Sequence, residues 1–219
     1  MEAFLVIVFM SSIANIPTQN QHIFVIEDDE SMRETLHGVL NFLGYQVHLF
    51  SSPLEFLKIS IQAAPAVVIT DMRMPEMNGV ELQAELLKRG RQVPIIFISG
   101  ESTVPQTISA MKQGAIEFLT KPFEREQLME AVIRGLNRDA QEMQSHLEQL
   151  AIEELLKGLA PRERQVFGLL SLGFNNAEIM AKMGISLDTT KQYKSEVMRK
   201  LGLRSLSQLI ALKLGNAKS

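Results

Sequence analysis

The chain of 219 residues contains no cysteine. That removes disulfides, thiolate metal sites and cysteine nucleophiles together, and it fits a reducing compartment. The four histidines, His22, His37, His48 and His146, stand at no metal-ligand spacing, so each reads as a surface or packing residue. A membrane-spanning apolar run is missing too. The opening MEAFLVIVFM is apolar, but it has no basic leading region, no cleavage site and too little length to span a bilayer. Residues 1–20 therefore read as a disordered or mis-started leader, with Met10 as an alternative start.

A large excess of one charge is also absent, since the formal net charge is only −3. The distribution is uneven, however. From Ala160 onward there are ten Lys or Arg against four Asp or Glu, while the first 159 residues hold twelve against twenty-one. An acidic front followed by a basic back points to a nucleic-acid partner for the second part, with a solvated basic face as the plainer alternative. A hydrophobic share of 46% is enough for real cores, and the length allows one large or two small domains.

Apolar runs of strand length occur at HIFVI (22–26), YQVHLF (45–50), AVVIT (66–70), PIIFIS (94–99) and AIEFL (115–119). Helical patterns lie between them near 31–43, 52–60, 79–89 and 104–112, and a fifth begins near Glu124. Five β–α repeats with short connections predict an α/β domain, a parallel sheet wrapped by helices on both faces. Ligands of such sheets bind beyond the carboxyl ends of the strands.

The polar residues leaving those ends form a consistent set. Strand one runs into Glu27, Asp28 and Asp29, strand three into Asp71, strand four ends at Ser99, and strand five is followed by Thr120, Lys121 and Pro122. Carboxylates gathered at one sheet edge repel unless a cation intervenes, and an all-oxygen set with open positions suits Mg²⁺. Lys121 adds a cation and Ser99 a hydroxyl donor. Such a set can stabilise a transferred phosphoryl group while Asp71 acts as nucleophile.

Over about residues 21–136, the motifs VIEDDESMR, TDMRMPEMNG, FISG and GAIEFLTKPF resemble the receiver domain of two-component response regulators. The resemblance implies a flavodoxin-like five-stranded fold with Asp71 as phosphoacceptor. It makes Glu27 and Asp28 the acid pair at Mg²⁺, with Asp71 and the Arg73 backbone carbonyl as further ligands. Ser99 and Lys121 would bind the phosphoryl oxygens, Phe118 would be the switch aromatic, and Lys121–Pro122 is a candidate cis bond. Arg73 and Glu101 would pair across the mouth of the site. Glu27 stands where the family more often has Asp. Haloacid-dehalogenase phosphatases share several of these groups but need a second acid two residues after the nucleophile, where this chain has Arg73. An enzyme acting on external phosphate esters is therefore disfavoured, leaving only self-phosphorylation from small phosphodonors and dephosphorylation.

Residues 137–158 continue as a long linker helix. Leu136, Ala140, Met143, Leu147 and Leu150 have the spacing of a coiled-coil seam, and a single amphipathic helix packed on its own domain fits the same pattern. Residues 159–219 read as short helices. Pro161 starts one and Gly173 ends it, and a helix, a turn at Gly184 and a second helix capped by Ser186 or Asp188 follow. RERQVFGLL, GFNNAEIMAKMGIS and TTKQYKSEVMRKLGLRS resemble the LuxR/FixJ-type helix-turn-helix domain. Departures are Ala160 for the usual Ser/Thr cap, Ala177 for a basic residue, Tyr193 for His and Glu196 for Asn. Lys191, Gln192, Lys194, Ser195, Arg199, Lys200 and Arg204 are the candidate DNA contacts, with the early ones toward base edges and the later ones toward phosphate.

Together the two resemblances imply a cytoplasmic DNA-binding transcription regulator of the FixJ/NarL group, FixJ-like branch, switched by phosphorylation of Asp71. They imply a sensor histidine kinase, double-stranded promoter DNA and a second phosphorylated copy as partners, leave RNA polymerase open, and give no membrane. A phosphorylation-independent regulator using the receiver as a dimerisation module is the alternative.

Overall fold

The computed structural model describes residues 20–90, 92–100 and 104–216. Apart from Asn20, the expected leader lies outside them. The described chain forms two compact units, with the boundary between Met143 and Gln144.

The first unit contains β1 (His22–Ile26), β2 (Gln46–Phe50), β3 (Ala66–Asp71), β4 (Ile95–Ser99) and β5 (Glu117–Thr120). They form one parallel sheet in the order β2-β1-β3-β4-β5. β3 and β4 are buried along their whole length, as expected of central strands covered on both faces, whereas β2 and β5 lie at the edges and are less buried. The period-two alternation sorts side chains cleanly. Ile23, Val25, Val67, Ile69, Ile96 and Ile98 face α1 (Glu30–Phe42) and α5 (Arg125–Lys157), packing with Leu36, Leu40, Leu128, Val132 and Leu136. Phe24, Ile26, Val68, Ile95 and Phe97 face α2 (Pro53–Phe56), α3 (Gly79–Lys88) and α4 (Val104–Lys112), packing with Phe56, Leu82, Leu86 and Ala110.

Parallel register aligns the strand ends. Ile26 is opposite both Phe50 and Thr70, Asp71 is opposite Ile98, and Ser99 is opposite Thr120. The order reverses direction between β1 and β3, which opens the crevice of a doubly wound sheet at that point.

Some elements differ from the sequence expectation. The helix expected over 52–60 is only Pro53–Phe56, because Lys58 and Ile59 donate to carbonyls three residues back and the chain tightens out of the helix. The strand expected at 115–119 begins at Glu117 and runs to Thr120, since the Ala115 amide still closes the preceding helix on Ala110. The seam expected from Leu136 to Leu150 begins on a core residue. Leu136 is 3% exposed within the receiver cluster, whereas Leu147 is 58% and Leu150 48% exposed.

A feature absent from that expectation lies just beyond. Asp139 on α5 is buried, and its Oδ2 accepts a 2.7 Å hydrogen bond from the Ala66 amide at the start of β3. One turn earlier, Gly135 has no room for a Cβ, which would sit 2.7 Å from Val67 Cγ2. This close approach lets α5 lie against the sheet.

The second unit has α6 (Pro161–Ser171), α7 (Asn176–Met183), α8 (Leu187–Lys200) and α9 (Leu206–Asn216). Val166, Phe167, Leu170, Ile179, Val197 and Leu209 form its core. Pro161 occupies the first turn of α6, and Ala160 supplies no side-chain cap; the Glu163 carboxylate reaches back to the Ala160 amide at 2.8 Å. Asn175 and Glu178 form a capping box on α7, whose end is Gly184 in the left-handed region at φ 65. Ser186 caps α8 by accepting from the Thr189 amide.

Replacing Asp139 with alanine strands a buried amide at Ala66, so denaturant titration should show a loss of about 1–3 kcal/mol. Asp139→Asn, which retains an acceptor, should lose less. Equal losses in both variants would show that the contact with Ala66 is not what Asp139 contributes.

Candidate functional site

The aligned strand ends bring four of the expected groups together. Glu27 follows β1 and is 1% exposed, Asp71 ends β3 at 9% exposed, and Asp28 stands open to solvent. Carboxylate oxygens of these three lie within 4.8 Å of one another. Lys121, just past β5, places Nζ 2.8 Å from Glu27 Oε2 and 2.9 Å from Asp71 Oδ2. Its amide donates to the Ser99 carbonyl at 2.8 Å, and its bond to Pro122 is cis. Ala64–Pro65 is a second cis bond, which the sequence reading did not anticipate. Ser99 is buried at the end of β4.

Asp29, the third acid of the run, is engaged elsewhere. Its side chain accepts from the Met32 amide at 2.7 Å and caps α1. Phe118 is half-buried on the α3–α4 side, stacked on Phe97 with centroids 6.5 Å apart. Arg73 is exposed, and its amide donates to Asp71 Oδ1 at 3.1 Å. Glu101, the expected partner of Arg73, lies outside the described residues.

Two further residues shape this site, and sequence pattern alone did not mark them. Arg33 Nη1 donates to the Glu27 carbonyl at 2.8 Å and to the Asp28 carbonyl at 3.4 Å, fastening the turn that carries both acids. Its place six residues after Glu27, in the first turn of α1, was the available signal. Gly79 begins α3 directly under Asp71. A Cβ there would lie 2.7 Å from the Asp71 carbonyl and 2.8 Å from the Phe97 ring, so only glycine lets the loop after β3 return this closely. The Gly79 amide donates to the Met72 carbonyl, closing the loop, and Glu76 within it has φ 68.

Electrostatically the cluster is short of positive charge. Three carboxylates face one ammonium. Burial is the main influence on Glu27 and pushes its carboxyl up to about 7; the Lys121 hydrogen bond opposes this and the neighbouring Asp71 adds to it. Burial also disfavours the Lys121 ammonium, but hydrogen bonds to Glu27 and Asp71 outweigh that and hold Lys121 above its ordinary value. Glu27, Asp28 and Asp71 are all hard oxygen donors, and the exposed Asp28 leaves one side open to water. This donor set fits a small divalent cation.

In the second unit, Lys191, Gln192 and Ser195 are exposed on α8, Lys194 is half-buried, and Arg204 is exposed beyond the helix. The other two candidates are already paired. Arg199 Nη2 is 2.6 Å from Glu196, and Lys200 Nζ is 2.7 Å from Glu163. Lys200 thus has a partner within its own unit, while the residue stays exposed. Its ammonium ties α8 to the amino end of α6 and holds the Glu163 carboxyl below its usual range, aided by the Ala160 amide. The carboxylate of Glu196 is likewise balanced by Arg199.

Comparison with known proteins matches residues 23–133 to the response regulator receiver domain and residues 157–212 to the bacterial regulatory proteins of the luxR family. The chain belongs to the two-component response regulators that join a receiver to a LuxR-type DNA-binding domain. Within that class it is similar to the FixJ group. It is 35% identical to nodulation protein W of Bradyrhizobium diazoefficiens over 190 residues, covering 87% of this chain and 84% of that one. The transcriptional regulatory protein FixJ of the same species is 34% identical over 195 residues, covering 89% and 95%. The solved structure of response regulator StyR aligns at a TM-score of 0.76 and 38% identity, covering 88% of this chain and 98% of that one. Among the described residues, no helix is long and apolar enough to cross a membrane.

Burial of Glu27 couples the stability of the receiver to pH. Because the folded protein holds this proton up to about 7 while the unfolded chain releases it near 4.5, metal-free protein should lose stability as pH rises between those values. Above about pH 7 that loss should be constant. Melting curves in the presence of a chelator should therefore show Glu27→Gln gaining on the parent from pH 5 to pH 7; parallel pH profiles would contradict the buried, proton-holding state of Glu27.

Proposed function

We propose that the chain is a cytoplasmic transcription regulator in which Asp71 accepts a phosphoryl group from a sensor histidine kinase, and that the modified receiver promotes dimerisation and promoter binding. The observation that carries this reading is the Lys121 ammonium bridging Glu27 and Asp71, with Asp28 alongside. In the proposed division, residues 21–136 are the receiver, 137–158 the linker helix and 159–219 the DNA-binding domain.

Glu27, Asp28 and Asp71, with the Arg73 carbonyl, are the residues that would hold Mg²⁺. When bound it supplies positive charge against the phosphoryl oxygens. An Asp71 carboxylate oxygen attacks phosphorus, the bond from phosphorus to the kinase imidazole breaks, and the imidazole nitrogen takes a proton from solvent. Lys121 pairs with a phosphoryl oxygen and the Ser99 hydroxyl donates to another. These two contacts draw β4 and β5 toward the new charge, and Phe118 on β5 carries the change to the α4 and β5 surface.

In the second domain, α8 is the helix proposed to enter the major groove, with Lys191 toward guanine acceptors and Gln192 toward the donor–acceptor pair of adenine. Lys194, Arg199 and Arg204 are the phosphate-facing groups. Lys200, like Arg199, would exchange its ion pair within the unit for a phosphate.

Asp71→Asn removes the nucleophilic oxygen while keeping the side-chain shape, so labelling by a radioactive small phosphodonor should vanish; full labelling would place the acceptor elsewhere. Treatment with beryllofluoride and Mg²⁺ should increase dimer content in sedimentation experiments, and an unchanged distribution would favour a receiver that works without phosphorylation.

Gln192→Ala should cost about 1–3 kcal/mol in specific DNA binding and relax preference at one base pair. Binding-site selection with Lys191→Ala and Gln192→Ala measures this directly. An unchanged consensus for both variants would mean that another face of α8 meets the bases.

A further inference from the structure

We infer that Asp188, in the first turn of α8, reads sequence by accepting a hydrogen bond from the exocyclic amino group of a cytosine in the major groove. The inference rests on the proposed DNA-binding role of α8 and deepens it.

Asp188, Gln192 and Ser195 are spaced by four and three residues, so they form one stripe along the helix, and all three are exposed. Thr190 and Val197 are fully buried against the rest of the unit, which turns this stripe outward. Asp188 lies nearest the amino end, the part of a reading helix that meets base edges.

Its partners, or lack of them, set it apart. Four carboxylates follow Ala160. Glu163 is held by Lys200 and the Ala160 amide, Glu178 by the Asn175 amide, and Glu196 by Arg199. Asp188 makes no hydrogen bond or ion pair with any described residue, and the cap of α8 is supplied by Ser186. A free carboxylate brought among DNA phosphates is repelled unless it meets a donor. In the major groove, cytosine offers its amino group without an adjacent acceptor, whereas adenine sets the N7 lone pair beside its own amino group, against the carboxylate. Cytosine is therefore the base that Asp188 fits.

The test is binding-site selection with the full chain, followed by affinity measurements on the selected site. The parent should select a C·G pair at one position, and Asp188→Ala should lose preference there while retaining the rest of the consensus. Asp188→Asn, which adds a donor, should shift that position toward adenine. Exchanging the pair for T·A, whose O4 acceptor would face the carboxylate, should weaken the parent by about 5- to 150-fold and Asp188→Ala hardly at all. An unchanged consensus with uniformly tighter binding by Asp188→Ala would overturn the inference and leave Asp188 a simple repeller of phosphate. An unchanged consensus with only a lower melting temperature would overturn it in favour of a helix-end role. If the parent selects no sequence at all, the DNA-reading role of α8 fails, and this inference with it.

Discussion

Mutual repulsion among Glu27, Asp28 and Asp71 is the constraint around which the receiver is built. Three acids from two strand ends sit within a few ångströms, and two of them are buried. One ammonium, Lys121, offsets part of that charge from a third strand, at hydrogen-bond distance from two of the acids. Burial, with the neighbouring Asp71 adding to it, keeps the proton of Glu27 up to about 7. A site in this condition gains from any added positive charge and is sensitive to any added negative charge. In the proposed reading, cation binding supplies the first and phosphorylation the second.

Keeping such a cluster assembled requires stiff supports, and they come from several kinds of interaction. Continuous apolar runs bury β3 and β4 on both faces, so register fixes where Asp71 and Ser99 emerge. Arg33 ties down the turn carrying Glu27 and Asp28, and Asp29 is spent on capping α1. Gly79 lets the loop after β3 close against the Asp71 carbonyl. At the opposite end of the same strand, Asp139 secures Ala66. β3 is thus held at both ends by polar contacts and along its length by packing.

The helix-turn-helix unit distributes charge differently. Glu163 and Glu196 are paired with basic groups of α8, and Glu178 accepts from the Asn175 amide. Lys200 on α8 pairs with Glu163, whose carboxylate also accepts from the Ala160 amide where a side-chain cap is missing.

Residue order by itself determined the parallel α/β class, the strand that delivers Asp71 to its end, and the helix, glycine turn and helix of the second unit. Each of these follows from local signals: apolar period, caps, and glycine where a helix must stop. The five-strand order and the convergence of Glu27, Asp71 and Lys121 required the fold, because they depend on pairing between segments up to 94 residues apart. The same is true of what pattern missed. Asp139 sits in a run that looks like exposed linker helix, and only its contact with a strand end 73 residues earlier makes it a buried group. Gly79 resembles an ordinary loop glycine until the Asp71 carbonyl is placed beside it. Leu136 shares a seam-like spacing with Leu147 and Leu150, yet the sheet claims it for the core and leaves those two exposed. Periodicity reports which face of a helix is apolar; what covers that face is decided by the neighbour that tertiary structure brings to it.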